Sequence, residues 1–304
     1  MTRVLVLGAS GMLGHKVWQE LVPRFDARAT VRTEAVPEPA AAVLDPERTV
    51  TGVTVEDPGS VARALERSGA EVAINCIGVV KQARAASDAP VTVRGNALFP
   101  HEVAVACRER GVRLVHISTD CVFSGDRGRY REDDVPDARD LYGRSKLLGE
   151  VTTDGCLTLR TSIVGRELSG SHGLLEWLIG ERGRAVRGFT RAVFSGLTTE
   201  ALARELASIV AEGAELDGLW HVGGDPIAKH ELLALTRKAL DLDVEIVPDD
   251  SVVIDRSLDS QRYREATGRT PPSWPEMLAD LAADPTPYAS IRAGTLTSPG
   301  ASRA

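Results

Sequence analysis

Through the first half of the chain, short apolar runs alternate with segments whose apolar residues recur at helical spacing. "RVLVLGA" (3–9) is an uninterrupted apolar run of strand length, and a helix is predicted from about Met12 to Leu21. Further strands are predicted at "DARATVR" (26–32), "GVTVE" (52–56), "EVAINCIG" (71–78) and "VRLVHIST" (112–119). Helices are predicted over "PGSVARALERSG" and over "HEVAVACRERG" (101–111), the second with Gly111 as a C-cap. After a helix at 140–150, "CLTLRTSIV" (156–164) supplies a sixth strand. Apolar strands alternating with helices of this length imply βαβ units, with helices on both faces of a parallel sheet. The expected fold class is α/β, a Rossmann-type doubly wound parallel sheet.

Beyond residue 165 the alternation breaks. "SHGLLEWLIGERG" reads as a helix rich in large apolar residues, and "RAVRGFTRAVFSGLTT" as loop or strand. "TEALARELASIVAEG" is an amphipathic helix, "GLWHVGG" a short strand, and "KHELLALTRKALDL" and "SWPEMLADLAAD" two more helices. The expected organisation is a dinucleotide-binding domain over 1–165, with returns to the sheet around 193–223. Residues 166–192 and 224–284 would form a smaller C-terminal substrate-binding lobe, since pieces inserted at strand carboxyl ends cover a ligand crevice. Residues 285–304, rich in small residues, Pro and Gly, are expected to be a disordered tail. There are no internal repeats.

Composition narrows the function classes. The 304 residues are 43% hydrophobic and 26% charged, ordinary for a globular chain long enough to bury a substantial core. A net charge of −7 argues against a nucleic-acid partner. Cys76, Cys107, Cys121 and Cys156 show no metal-like spacing and read as reduced, mostly buried thiols. The N-terminal apolar run is too short for a membrane span and lacks a signal peptide's cleavage region, so a cytoplasmic protein is expected, with no membrane partner.

"GASGMLG" places Gly8, Gly11 and Gly14 between a predicted strand and a predicted helix, the context that a dinucleotide-binding turn needs. Glycines let backbone N–H groups approach a pyrophosphate, and the helix N-terminus adds positive potential. Gly8, Ser10, Gly11, Met12, Leu13 and Gly14 are therefore expected cofactor contacts. The cofactor is read as NADP (NADPH) through Arg32 at the end of the second strand; Glu34, two residues on, is the argument for NAD. Asp26 lies too far back to reach. Asp57 either approaches the adenine or N-caps the helix that follows.

The fifth strand ends in hydroxyls, Ser118 and Thr119, at the edge where parallel sheets bind ligands. Further on, "DLYGRSKLLGE" sets Tyr142 and Lys146 four positions apart, on one face of a helix. Alone, such a pair decorates a solvated surface. Beside a glycine turn and strand-end hydroxyls it reads as proton chemistry. A phenol titrates near pH 10, a neighbouring cation favours its ionised form, and a strand-end hydroxyl can bond a carbonyl oxygen that gains charge.

"GASGMLG", "INCIG", "STDCVFSG" with "GRYREDD", and "YGRSKLLGE" occur in that order within residues 1–150. In these motifs the chain resembles the extended short-chain dehydrogenase/reductases, and most of all the dTDP-4-dehydrorhamnose reductase group. Beyond residue 165 the resemblance is thinner, though "FSGLTT" and "DRSLDS" look like substrate-lobe segments. The resemblance implies a catalytic set of Thr119, Tyr142 and Lys146. Tyr142 would give a proton to a keto oxygen as hydride arrives from nicotinamide C4, and Lys146 would lower the Tyr142 pKa and hold the nicotinamide ribose. Asn75, Cys76, Ile77 and Gly78 would line the cofactor, with Ser118 nearby. Asn96 corresponds to a helix asparagine that supports a proton relay, or else merely starts a helix or turn. Cys121 departs from the pattern: related dehydratases carry an acidic residue there, and the reductase group usually an aromatic one.

Candidate substrate contacts are Lys81, Thr119, Asp120, Phe194 and Arg256, with Gln82 and His172 as further candidates. Lys81 and Gln82 are better explained as a solvated loop, Trp177 is better explained by core packing, and Arg256 either binds a phosphate or base or pairs with Asp255 or Asp259. The carboxylates of "GRYREDD" and "DARD" read as an exposed acidic loop, so no metal is expected. The resemblance implies an NADPH-dependent reductase of a nucleotide-linked 4-keto-6-deoxy sugar, in deoxysugar or polysaccharide biosynthesis. A homodimer would be usual for the superfamily. Two rival readings are a nucleotide-sugar epimerase with tightly held NAD, and a non-catalytic dinucleotide-binding regulatory subunit; an intact Thr119–Tyr142–Lys146 set argues against the second.

Overall fold

The computed structural model describes residues 1–81, 87–212 and 216–297. Its strands are β1 (Arg3–Leu7), β2 (Asp26–Thr30), β3 (Thr49–Val50), β4 (Val72–Asn75), β5 (Arg113–Ile117), β6 (Cys156–Arg160), β7 (Ile163–Val164), β8 (Arg184–Phe189), β9 (Ala192–Phe194), β10 (Leu197–Thr198), β11 (Gly218–His221), β12 (Ile227–Ala228), β13 (Val244–Asp249) and β14 (Ile254–Asp255). Its helices are α1 (Met12–Leu21), α2 (Glu38–Ala41), α3 (Pro58–Ser68), α4 (Ala89–Val93), α5 (Phe99–Arg108), α6 (Leu141–Leu148), α7 (Leu174–Gly180), α8 (Thr199–Ala211), α9 (Lys229–Ala239), α10 (Gln261–Thr267), α11 (Trp274–Ala282) and α12 (Tyr288–Thr297).

Period-two alternation within apolar strands feeds two cores. Val4 and Val6 of β1 face one side, packed with Val17 and Trp18 of α1 and Leu206 of α8. Leu5 and Leu7 face the other, packed with Ala64 of α3 and Phe99 and Val103 of α5. Covering both faces is what lets the strands be apolar throughout. Seven of them form one sheet, in the order β11-β6-β5-β4-β1-β2-β3, and every neighbouring pair is parallel. This is the doubly wound α/β sheet that the sequence pattern predicts. The order reverses between β1 and β4, the switch point at which such sheets open a ligand crevice. Leu7 pairs with Asn75, and Asn75 with His116, so β1, β4 and β5 end together at that crevice.

The remaining strands form three small sheets: β7 with β10, β8 with β13, and β12-β9-β14. Of the stretch 193–223, β11 joins the main sheet, whereas β9 and β10 pair only within the small ones. No helix among the described residues is long and apolar enough to cross a membrane.

Three expectations are corrected. The third strand is Thr49–Val50 rather than 52–56, because the chain turns at Gly52 and Thr54 is tied to the start of α3 through Ser60. Trp177 is not core: its exposure is 37%, on the outer face of α7. The stretch from 285 is not a disordered tail as far as it is described, since α12 folds back on the body. Tyr288 and Ile291 are only 3% and 9% exposed, and the Tyr288 hydroxyl lies 2.7 Å from His15 Nε2 on α1. Arg292 donates to the Glu167 carbonyl at 3.0 Å and pairs with Glu176 at 3.4 Å. Two large apolar anchors and an ion pair outweigh the low-complexity composition that suggested disorder. Residues 298–304 lie outside the described part.

A chain ending at Asp284 loses those two buried side chains. It should be destabilised by about 3–6 kcal/mol, seen as a lower urea midpoint with a nearly unchanged slope. An unchanged midpoint would show that the helix is only draped on the surface.

Candidate active site

The glycine turn closes between β1 and α1. Gly8 has φ +79°, which only glycine adopts freely, and a Cβ on Gly14 would collide with the Gly8 carbonyl oxygen. The N-cap of α1 is Gly11, with no side chain bonded to the first helical N–H groups. Those free donors at a helix N-terminus, reached through a side-chain-free approach, fit a dinucleotide pyrophosphate. Ser10 and Met12 are half-buried beside the turn, with Met12 also against Gly173. Leu13 is different: its side chain is 5% exposed within the core, so only its backbone can contribute.

Around the crevice, Arg32 is exposed just beyond β2 and its charge acts on Glu56. Glu34 is also exposed and lies against Gly52. Asp57 sits at the α3 N-cap position, but its carboxylate accepts from Arg63 at 2.5 Å. Ile77 packs on Gly8, and the Cα of Gly78 faces both Asn96 and Lys146: a Cβ there would lie 3.2 Å from Asn96 Oδ1 and 3.9 Å from Lys146 Nζ. Cys76 is half-buried, its thiol pushed up to about 12 by burial and drawn back by Lys146.

Three expected contacts point elsewhere. Asn75 is fully buried; its carbonyl accepts the Ile77 N–H at 3.0 Å and its amide lies 3.2 Å from His116 Nδ1, so it shapes the turn instead of facing the crevice. The Ser118 hydroxyl turns inward to Glu150 Oε1 at 2.8 Å. Asn96, in a π-helical turn before α5, accepts the Val79 N–H at 2.8 Å and donates to the Val79 carbonyl at 3.0 Å and Ser145 at 3.4 Å. Its amide therefore clamps the loop after β4.

The proton-handling groups do meet. Asp140 caps α6 through the Gly143 N–H at 2.8 Å, and a Cβ on Gly143 would strike the Cys121 carbonyl, so helix and strand-end loop touch directly. That approach brings the Tyr142 phenol to the Thr119 hydroxyl. Thr119 is fixed in turn, accepting from the Cys121 N–H at 3.1 Å and donating to Asp120 Oδ1 at 3.2 Å. Burial raises the phenol pKa above its usual value; the Cys121, Asp120 and Asp140 charges add to this, and the Thr119 hydrogen bond opposes it. Lys146 is not among the groups that act on it most, which corrects the expectation that Lys146 lowers this pKa. The Lys146 ammonium instead donates to the Ile117 carbonyl at 2.7 Å, and burial lowers its own pKa to about 8, against the pull of Glu150 and Cys76.

Glu150, two residues past α6, is held by Arg160 in a two-pronged pair at 2.8 Å on each prong, and Arg160 is itself buried against the Phe123 ring and His221. The sequence carried a signal for this pair, because arginine inside an apolar strand requires a buried partner.

The substrate side is also charged. Lys81 pairs with Asp140 at 2.6 Å, and His172 is exposed beside Gly170. Phe194 is buried on Trp274, 5.5 Å between ring centroids. Arg256 pairs with neither Asp255 nor Asp259 among the described residues; its Nε donates to the Phe123 carbonyl at 2.9 Å. Burial raises the pKa of the Asp120 carboxyl, and Arg256 and Lys229 are the cations acting on it. Gln82 lies outside the described residues. Among those residues, no group of three or more His, Cys, Asp or Glu is placed to hold a metal.

Comparison with known proteins completes the picture. The profile of the family described as "RmlD substrate binding domain" matches residues 1–284. A dTDP-4-dehydrorhamnose reductase of Streptomyces griseus is 36% identical over 149 residues, which are 49% of this chain and 43% of the relative, less than half of its length. A dTDP-4-keto-6-deoxy-D-glucose reductase of Streptomyces niveus is 29% identical over 264 residues, 82% of this chain and 84% of that one. The structure superposes on a dTDP-4-dehydrorhamnose reductase of Bacillus anthracis, solved in complex with NADP, with a TM-score of 0.74 at 22% identity, covering 92% and 99% of the two chains. That last likeness speaks to the fold.

Glu150→Gln leaves Arg160 buried without its anion. It should destabilise the protein by about 3–5 kcal/mol in urea unfolding, while a Glu150→Met, Arg160→Met double variant recovers much of the loss. Equal stability of wild type and Glu150→Gln would contradict the buried pair.

Proposed function

We propose, from the premise that this chain belongs to the RmlD substrate-binding-domain family, that it is an NADPH-dependent reductase of a nucleotide-linked 4-keto-6-deoxy sugar. The observation that carries the reading is the Tyr142 phenol meeting the Thr119 hydroxyl, with Lys146 one turn further along α6 and facing Gly78, next to the Ile77 that packs on the glycine turn. Relatives named as reductases of dTDP-linked keto sugars support the substrate class. NADPH is favoured over NADH because Arg32 is exposed where a 2′-phosphate would lie, and a similar structure was solved with NADP.

When bound, the cofactor supplies the hydride that turns the ketone into an alcohol. The chain supplies the rest. Tyr142, kept protonated by burial, gives its proton to the keto oxygen as that oxygen gains charge. Thr119 holds the phenol in line, and its hydroxyl can turn from Asp120 to the same oxygen. Lys146, charged below its pKa of about 8, offers a donor toward the ribose from beside Gly78. Gly8, Gly11 and Gly14 admit the pyrophosphate to the start of α1, and Ile77 and Gly78 form the crevice wall. Four free cysteines fit a reducing compartment, and we assign the reaction to the cytoplasm.

The test is a purified protein offered a dTDP-4-keto-6-deoxyhexose and NADPH, followed by the loss of NADPH absorbance. Turnover is expected, and Tyr142→Phe should lower kcat by about 100- to 10,000-fold with NADPH still bound. Because the ammonium form is present below the Lys146 pKa, kcat/KM for NADPH should fall as pH rises through about 8, and Lys146→Arg should move that limb upward. No consumption with any common nucleotide ketosugar, while NADPH binds, would overturn the reading.

A further inference from the structure

Lys229 is the first residue of α9, where the helix dipole disfavours a cation. The N-cap before it, Ala228, has no side chain to bond the first N–H groups. The Lys229 ammonium lies 4.1 Å from the centroid of the buried Phe194 ring. Among the described residues it makes no hydrogen bond and no ion pair. Burial lowers its pKa, Asp120 and Cys121 pull it back up, and Arg256 pushes with burial. Arg256 uses Nε on the Phe123 carbonyl, which leaves the rest of its fork without a partner among the described residues. Asp120 is the carboxylate within reach of both cations; Asp140, the other acid that feels Arg256, is engaged by Lys81 and the Gly143 N–H. Two half-buried cations thus share one carboxylate beside an uncapped helix start, and the net positive charge left over is one that an anion would balance.

We propose that Lys229, together with Arg256, binds the diphosphate of the substrate, an inference that rests on reading the substrate as a nucleotide sugar. The arrangement matches such a molecule along its length. Cys121 and Asp120 act on both the Tyr142 phenol and Lys229, and Arg256 is bonded to the Phe123 carbonyl two residues on, so the phenol and the cations neighbour one short loop. In a hexose, carbon 4 and carbon 1 lie across the ring. With the keto carbon at Tyr142, the phosphate on carbon 1 is then directed to the cations. Phe194 then backs the ammonium and excludes water from it, strengthening its pull on a phosphate. Lys229 is in this account a binding residue that sets where the sugar ring stops.

The test is calorimetric titration of dTDP into the full-length protein already loaded with NADPH. Lys229→Gln is expected to weaken dTDP binding by about 30-fold or more, and Lys229→Arg to keep it within about 3-fold of wild type. NADPH affinity, unchanged in both variants, reports that they fold. Wild-type affinity for dTDP in Lys229→Gln would overturn the diphosphate assignment and leave the reductase reading standing. A wild-type protein that binds none of dTDP, UDP or GDP would overturn the nucleotide-sugar reading itself, and this inference with it.

Discussion

An ammonium group buried beside a sheet edge constrains more of this molecule than any other group. Lys146 cannot be desolvated without compensation, and the chain supplies it from several elements at once. The Ile117 carbonyl accepts from it at the end of β5, and Glu150 provides negative charge from beyond α6. The Glu150 side chain is buried in its turn, so Arg160 of β6 and Ser118, just past β5, must hold it. Arg160 reaches His221 of β11, whose Nδ1 lies 3.0 Å from the Tyr130 carbonyl. One buried charge thus fixes the side chains at the ends of three adjacent strands.

The same low-dielectric setting decides what the neighbouring phenol can do. Half-buried, with Cys121 and Asp120 beside it, Tyr142 holds its proton more tightly than a free tyrosine. Such a group is protonated at neutral pH, the form from which a proton donor to a ketone oxygen must start. The two cations on the substrate side, Arg256 and Lys229, temper the Asp120 carboxylate without reaching the phenol strongly. The phenol and the two cations thus share Asp120 and Cys121 as electrostatic neighbours.

Backbone requirements were legible in the sequence, side-chain directions much less so. Gly8 and Gly14 announce their turn because no other residue tolerates that φ or that contact. Tyr142 and Lys146 announce themselves through helical spacing. Ser118, Asn75 and Leu13 sit at the right places yet point inward, since successive residues at a strand end face opposite sides and a helix start has one core face. Motif position does not encode that choice. Arg160 and Lys229 each break a local rule, a cation in an apolar strand and a cation at a helix start, and such breaks mark buried chemistry. α12 was hidden for the opposite reason: few large apolar residues, Tyr288 and Ile291 among them, dock a segment whose composition looks disordered.

In the proposed reaction, hydride enters the keto carbon from the dinucleotide side while Tyr142 protonates the oxygen. The decisive measurement is mass spectrometry of the product formed with NADPH deuterated at both C4 positions. One deuterium is expected on the carbon that bore the ketone, with the hydroxyl proton drawn from exchangeable protein and solvent hydrogen. A product formed at a normal rate but carrying no carbon-bound label would contradict it.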